Sequence, residues 1–381
     1  MEIYVVNPGD NVDVIAQKYA VTPEQVIYAN QLVYPYALAL GQALFIPAGA
    51  ADETRPGVVS NGYAYTYITP LVLEQTLPYL TELSVFSYGF STGGYLIPPP
   101  QDDLWMTEQA RGAGVLPYLT LTPLGPDGRF NNHLISALVN SPQARETLFS
   151  QLARVMEQKG YGGLDIDFEY IKAEDRDAFT AFVREAAERM NALGYRVSVA
   201  LAPKTSAGQK GLLYEGKDYR GLGQAADHVL LMTYEWGYKY GPNMAVAPLS
   251  MVRQVVDYAV TEIPPEKIML GIPNYGYDWP LPFVQGTTEA LTVGNVEAVQ
   301  IAVRNDARIQ FDPVAASPFF RYTREGTAHE VWFEDVRSLK EKFELVKEYG
   351  FRGCGYWQIM RLFRANWLLL EDMFWIAKNF Y

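Results

Sequence analysis

Between two stretches of helical periodicity, 142–158 and 174–192, the chain reads Gly162, Gly163, Leu164, Asp165, Ile166, Asp167, Phe168, Glu169, Tyr170. A strand held between two helices belongs to a β-α alternation, whose parallel strands are covered on both faces. This segment therefore restricts the chain to the α/β class. Side chains alternate along a strand, so Asp165, Asp167 and Glu169 share one face while Leu164, Ile166, Phe168 and Tyr170 take the other. On a wetted surface strand such alternation would mean nothing more than solvation. On a covered strand, three carboxylates carry a desolvation cost that only a task justifies. No Lys or Arg lies between Lys159 and Lys172 to offset the acids. Crowded like charges raise at least one pKa, and the row reads as a site for proton transfer.

The alternation repeats along the chain. Strands are expected near 63–67, 83–88, 115–121, 163–169, 196–202, 228–234, 268–273 and 353–357. Helical stretches separate them, including 249–262 and 336–349, and a helix over 361–380 closes the chain. Eight such units over 61–381 predict a (β/α)8 TIM barrel, with its chemistry at the C-terminal strand ends and Glu169 ending the fourth strand. The stretch 279–335 is too long for an ordinary connection. Its amphipathic part 293–304, and strands 319–323 and 330–333 around Arg324, Glu325 and Gly326, predict a small α+β insertion at about 280–334, near the seventh strand.

Residues 1–48 form a separate βααβ unit: a strand over 3–6, a turn through Asn7, Pro8, Gly9 and Asp10, and a helix over 12–19. A second helix is opened by Thr22 as N-cap with Pro23 at its first position and runs to Asn30, and a strand follows over 43–47. The pattern Tyr4, Val6, Pro8, Gly9, Asp10, Ile15, Ala16, Tyr19, Val21, followed by Ala29, Asn30, Gln31, Leu32 and by residues 40–47, resembles the LysM module, a binder of N-acetylglucosamine-containing glycans. The resemblance implies a sugar groove between Gly9, Asp10 and Asn11 on one side and residues 30–35, starting at Asn30, on the other. Asp10 could equally serve only to start the first helix. The small, polar, Pro- and Gly-bearing stretch 49–60 reads as a linker that leaves the module a flexible tether.

Asp165, Asp167 and Glu169 also match the last three positions of D-x-x-D-x-D-x-E, the fourth-strand signature of glycoside hydrolase family 18, with Gly162 at the first position. Met232, Thr233, Tyr234 and Glu235 resemble the family's M-x-Y-D, with Glu replacing Asp. Gly271 to Gly276, including Asn274 and Tyr275, resembles G-x-P-x-Y-G, followed by Tyr277 where many chitinases have Arg. Trp357 stands where the family places the tryptophan floor of its sugar site, and the third-strand S-x-G-G is replaced around Pro117, Tyr118 and Leu119. Together with the LysM module, these features resemble the spore-associated branch of the family, the cortical-fragment-lytic or spore germination glycosidases.

That resemblance implies retaining hydrolysis of N-acetylglucosaminyl linkages assisted by the substrate, an exception to the two-carboxylate scheme. Glu169 would be the acid and then the base, Asp167 would hold the acetamido N–H, and Asp165 would share a proton with Asp167. Tyr234 would aim the acetamido oxygen over the Trp357 ring. Met232, Glu235, Asn274, Tyr275 and Tyr277 are further substrate-binding candidates. Peptidoglycan, of spore cortex above all, is the expected substrate and partner. A chitinase or other endo-N-acetylglucosaminidase, or a non-catalytic glycan-binding spore-coat protein, are the alternatives.

Composition narrows the rest. A net charge of −12 disfavours nucleic acid and anionic membrane surfaces. The single cysteine, Cys354, in an apolar setting, reads as a buried strand residue and excludes an intrachain disulfide framework. His133, His228 and His329 are scattered, so neither a metal nor another cofactor is expected. A monomer is expected. The N-terminus shows no classical signal peptide. Together with the resemblance, this implies a spore-associated location in cortex or coat, the alternatives being cytoplasm or cell wall.

Overall fold

Eight segments rich in β-branched, aromatic and leucine side chains line up as the parallel staves of one closed barrel in a computed structural model that describes residues 1–49 and 54–378. They are β1 (Gly57–Tyr65), β2 (Glu82–Phe90), β3 (Leu116–Leu121), β4 (Gly163–Ile166), β5 (Arg196–Leu201), β6 (His228–Leu231), β7 (Ile268–Pro273) and β8 (Gly353–Trp357). Sequential neighbours pair in parallel, and β1 pairs with both β2 (Asn61 opposite Glu82) and β8 (Val59 opposite Gly353), which closes the circle.

The helices on either side of β4 decide which way its acids point. The Pro142–Lys159 helix starts on Ser141, whose side chain accepts from the Ala144 N–H, and stops at Gly160 with φ 71°. The Arg176–Ala192 helix presents Phe179 and Phe182, and the Phe168 ring stacks on both at 5.7 Å. This apolar stack holds the outward face of the segment against the helix layer. The alternate residues Asp165, Asp167 and Glu169 are thereby turned to the barrel interior and its mouth. Gly163 is required here, since a Cβ would sit 2.3 Å from the Tyr118 ring. The position of Gly162 is closed in the same way by Leu116, 2.2 Å from an added Cβ, so an acid there would have to displace that side chain.

Several expected boundaries need correction. β4 ends at Ile166 and β6 at Leu231, short of Glu169 and Tyr234: the Asp167 and Met232 N–H groups make the last ladder bonds, to Leu121 and Leu201, and the N–H groups of Thr233 and Tyr234 then turn back onto Leu231 and Met232. β1 begins at Gly57, so residues 57–60 of the expected linker are buried barrel strand from Val58 on, while residues 50–53 lie outside the described residues. The closing helix spans only Arg364–Met373. Beyond it Trp375–Ile376 runs as a short strand along β1, and the end of the expected helix, 379–380, lies outside the described residues.

The insertion starts directly after β7, at Gly276 rather than about 280. It is an antiparallel sheet of Gly276–Pro280, Leu291–Val293, Gln310–Asp312, Ser317–Arg324 and Thr327–Trp332, with the Asn295–Arg304 helix. Glu325 and Gly326 both take left-handed φ, 52° and 80°, which suits a tight hairpin following the strand twist.

In the N-terminal unit, Glu2–Val5 pairs antiparallel with Ala43–Ile46 around helices Val12–Lys18 and Pro23–Asn30, the latter capped reciprocally by Thr22 and Gln25. This unit is seated on the barrel. Ala29 and Phe45 join the barrel's hydrophobic cluster, and Ala39 joins that of the insertion. Gln31 accepts from the Arg364 N–H at 2.7 Å, and Leu40 from the Ile309 N–H at 2.8 Å. Gly41 approaches so closely that a Cβ would meet the Ile309 carbonyl oxygen at 1.9 Å. The expected free tether is thus corrected to a docked module, held by apolar contacts that no local pattern announces.

Candidate active site

At the C-terminal mouth of the barrel the three acids occupy different environments. Asp165 is 1% exposed, and its carboxylate accepts from the Tyr63 hydroxyl at 2.9 Å and from the Ser198 hydroxyl at 2.7 Å. Both oxygens are engaged by these two residues rather than by Asp167, contrary to the expected shared proton. Asp167 lies just past the strand end, where its N–H donates to the Leu121 carbonyl at 3.0 Å. Its Oδ1 is buried without a hydrogen-bond partner among the described residues. Glu169 is the most open of the three, and the chain turns immediately after it, with Tyr170 at φ 53°.

Burial comes first in raising all three carboxyls above the ordinary range. The two hydroxyl donors oppose it at Asp165, whereas Glu169 and Asp165 push Asp167 further up. At Glu169 the leading cause is desolvation rather than the crowding of acids expected from the sequence, and the Lys217 ammonium opposes it. The Glu169 charge acts on Asp167 directly, so the acidities of the two carboxyls are linked.

That coupling has a cost in stability. With its folded pKa raised, Asp167 contributes fully below the unfolded value near pH 4, and the contribution is lost as pH rises through the folded value. Asn at this position carries no charge to desolvate. Asp167→Asn is therefore expected to exceed the parent in stability at pH 8 by about 1.4 kcal/mol for each tenfold loss of acidity that the fold imposes on the aspartate, and to match it near pH 4. Thermal melts at the two pH values check this; a constant difference would assign the effect to packing.

A cleft of about 520 Å³ opens over the pair, lined by Asp167, Glu169, Met232, Tyr234, Glu235 and Trp357 together with a ring of aromatic side chains. Trp357 is wedged at its floor against Phe86 (4.9 Å), Tyr63 (5.7 Å) and Tyr65 (5.9 Å). Burial, and then the charges of Asp167 and Glu169, push the Tyr234 phenol well above its usual value, so it stays a donor.

Other expected residues lie elsewhere. Asn274 donates to the carbonyls of Gln358 and Arg361 at 3.0 and 2.9 Å, and so ties the end of β7 to the segment after β8 instead of facing the cleft. Tyr275 and Tyr277 both donate to Glu235, the latter at 2.9 Å, and act as its buttress behind the cleft wall. In the N-terminal module, Asp10 accepts from the Tyr4 hydroxyl and the Asn7 N–H, both at 2.7 Å, and Asn11 caps the first helix. Gly9 is left-handed at φ 87°. Asn30 spends its amide on Val26 and Phe45, bonds that serve the module's fold. Sequence reasoning passed over Tyr63, Ser198 and Lys217. The first two sit on the inward phase of β1 and β5, a findable signal, but Lys217 lies in a loop without periodicity.

Comparison with known proteins agrees with this geometry. Residues 127–361 match Glycosyl hydrolases family 18, and residues 4–47 match the LysM domain. The cortical fragment-lytic enzyme of Bacillus subtilis is 35% identical over 100% of this chain and 99% of its own. The crystal structure of the Bacillus megaterium spore cortex-lytic enzyme SleL superposes with a TM-score of 0.93 at 33% identity, covering 99% of both chains. A chitinase from Chromobacterium violaceum, 23% identical, shares the fold with a TM-score of 0.76 over 83% of this chain and 98% of that one.

Proposed function

This chain belongs to glycosyl hydrolases family 18, and from that premise we propose that its cleft hydrolyses N-acetylglucosaminyl linkages of spore-cortex peptidoglycan with retention, the substrate's 2-acetamido group acting as nucleophile. The buried, unpartnered Oδ1 of Asp167 beside Glu169 carries the proposal: a desolvated acceptor placed at the cleft suits an amide N–H brought by a ligand.

In the first step Glu169 gives its proton to the glycosidic oxygen as the bond from that oxygen to the anomeric carbon breaks. The acetamido carbonyl oxygen bonds to the anomeric carbon from the opposite face. Asp167 accepts the acetamido N–H and balances the positive charge of the oxazolinium ion, while Tyr234 donates to the acetamido oxygen and aims it. Tyr63 and Ser198 keep Asp165 in place beside them by donating to its two oxygens. In the second step the Glu169 carboxylate takes a proton from water, whose oxygen attacks the anomeric carbon and reopens the ring. Two inversions leave the configuration retained. The Trp357 face offers the apolar side of the sugar a flat contact. The chain is proposed to act as a monomer in the spore cortex or coat, with Gly9, Asp10 and Asn11 on one rim of the module's glycan groove.

Early product from spore cortex, examined by proton NMR, is expected to retain its anomeric configuration, and a thiazoline mimic of the cyclic intermediate is expected to compete with substrate. Inverted product would exclude an acetamido nucleophile. Vegetative peptidoglycan and chitin oligomers incubated in parallel should turn over more slowly than cortex; faster release from chitin would move the substrate assignment there.

A further inference from the structure

Lys217 is a buried cation that the chemistry above leaves without a role. It lies in the connection after β5, 0% exposed, and its Nζ donates to the main-chain carbonyl of Phe168 at 2.5 Å and to that of Ala200 at 2.9 Å. Phe168 stands between Asp167 and Glu169, on the stretch that has left the sheet, so the ammonium ties the acid-bearing segment to the end of β5 where no ladder bond can. The loop is fitted closely to that segment: a Cβ at Gly216 would come within 2.4 Å of the Ile171 carbonyl oxygen. A second buried lysine, Lys204, supports the loop from behind by donating to the Lys217 carbonyl at 3.0 Å.

Burying an ammonium solely to bind two carbonyls is expensive, since a neutral amide could make the same bonds. The charge therefore needs its own explanation. The groups facing it are Asp165, Asp167 and Glu169 from the acid segment and the Phe179 ring at 5.3 Å from the Arg176–Ala192 helix, while Lys204 on its own loop reaches only its main-chain carbonyl.

We propose that Lys217 is a positioning residue for hydrolysis: through the Phe168 carbonyl it fixes where Asp167 and Glu169 stand, and its positive charge lets that pair hold one proton and one negative charge together. The two halves depend on each other. Without the cation, the buried pair would keep both protons to higher pH, and Asp167 would be neutral when it has to balance the oxazolinium ion. Burial outweighs the pull of the three acids and lowers the ammonium to about 8, which still leaves it charged at neutral pH.

The proposal rests on the hydrolase function, and parent enzyme assayed on the same glycan keeps the two apart: an inactive parent indicts the function, an active parent with unaltered lysine variants indicts the role of Lys217. Lys217→Gln can still donate to both carbonyls but carries no charge. It is expected to move both limbs of the pH–rate profile upward by about one pH unit and to lower kcat at neutral pH roughly tenfold, with KM within about threefold. Lys217→Met loses bonds and charge, and kcat should fall a further tenfold or so on the same displaced profile. A folded Gln variant with the parental profile, or a folded Met variant with parental kcat, would overturn the proposal. Should neither fold, Lys217→Arg keeps the charge with altered geometry; kcat should drop on an unmoved profile, and an upward displacement there would overturn it as well.

Discussion

Glu169→Gln is expected to lose turnover on natural glycan by roughly 10³- to 10⁴-fold while binding the glycan as well as the parent does. The substitution keeps the size of the side chain and removes only the proton that the leaving oxygen needs. Folding should not suffer, because Glu169 is the most open of the three acids and replacing it relieves the repulsion at Asp167. The loss should also depend on the leaving group. An aryl glycoside whose phenol departs without protonation bypasses the acid step, so the variant should recover much of its bond-cleavage rate on that substrate. Burst kinetics on the aryl substrate, with isothermal titration on the natural one, check both statements. A variant that hydrolyses cortex at close to the parental rate, or that is equally impaired on both substrates, would falsify the role of Glu169 as acid.

Removing residues 1–48 is expected to damage the barrel itself. The sequence alone suggested a unit on a flexible tether, yet the folded module covers apolar surface on the Arg364–Met373 helix and on the insertion. Phe45 and Ala29 would leave the barrel's cluster, Ala39 that of the insertion, and the Arg364 and Ile309 N–H groups would lose their acceptors. Re-exposing this seam should cost on the order of 5 kcal/mol, which for a chain of this size is about 6 °C in melting temperature. Activity on soluble oligomers should fall with stability on warming, while binding to insoluble cortex weakens at every temperature through loss of the tethering contact. Melting of the truncated and full chains by circular dichroism decides it. Equal melting temperatures would return the module to the status of a free attachment.

What the sequence determined by itself is whatever local spacing encodes. The eight strands, the acid row of Asp165, Asp167 and Glu169, the Thr22 and Pro23 helix start, and the helices Leu249–Glu262 and Val336–Tyr349 all follow from periodicities of 2 and 3.6 and from capping chemistry, which act within a few residues. The family motifs added Tyr234 and Trp357, which stand at the cleft. Tertiary structure alone decided the rest, because it concerns which distant groups share one space. Asp165 is held by Tyr63 from β1 and Ser198 from β5, Asn274 is drawn to the segment after β8, and Asn30 turns inward to Phe45. The acids have no basic neighbour within the stretch from Lys159 to Lys172, yet Lys217 reaches them once the barrel closes. Charge acts through space with a strength set by burial, and neither the separation of two groups in the fold nor their desolvation can be read from their separation along the chain.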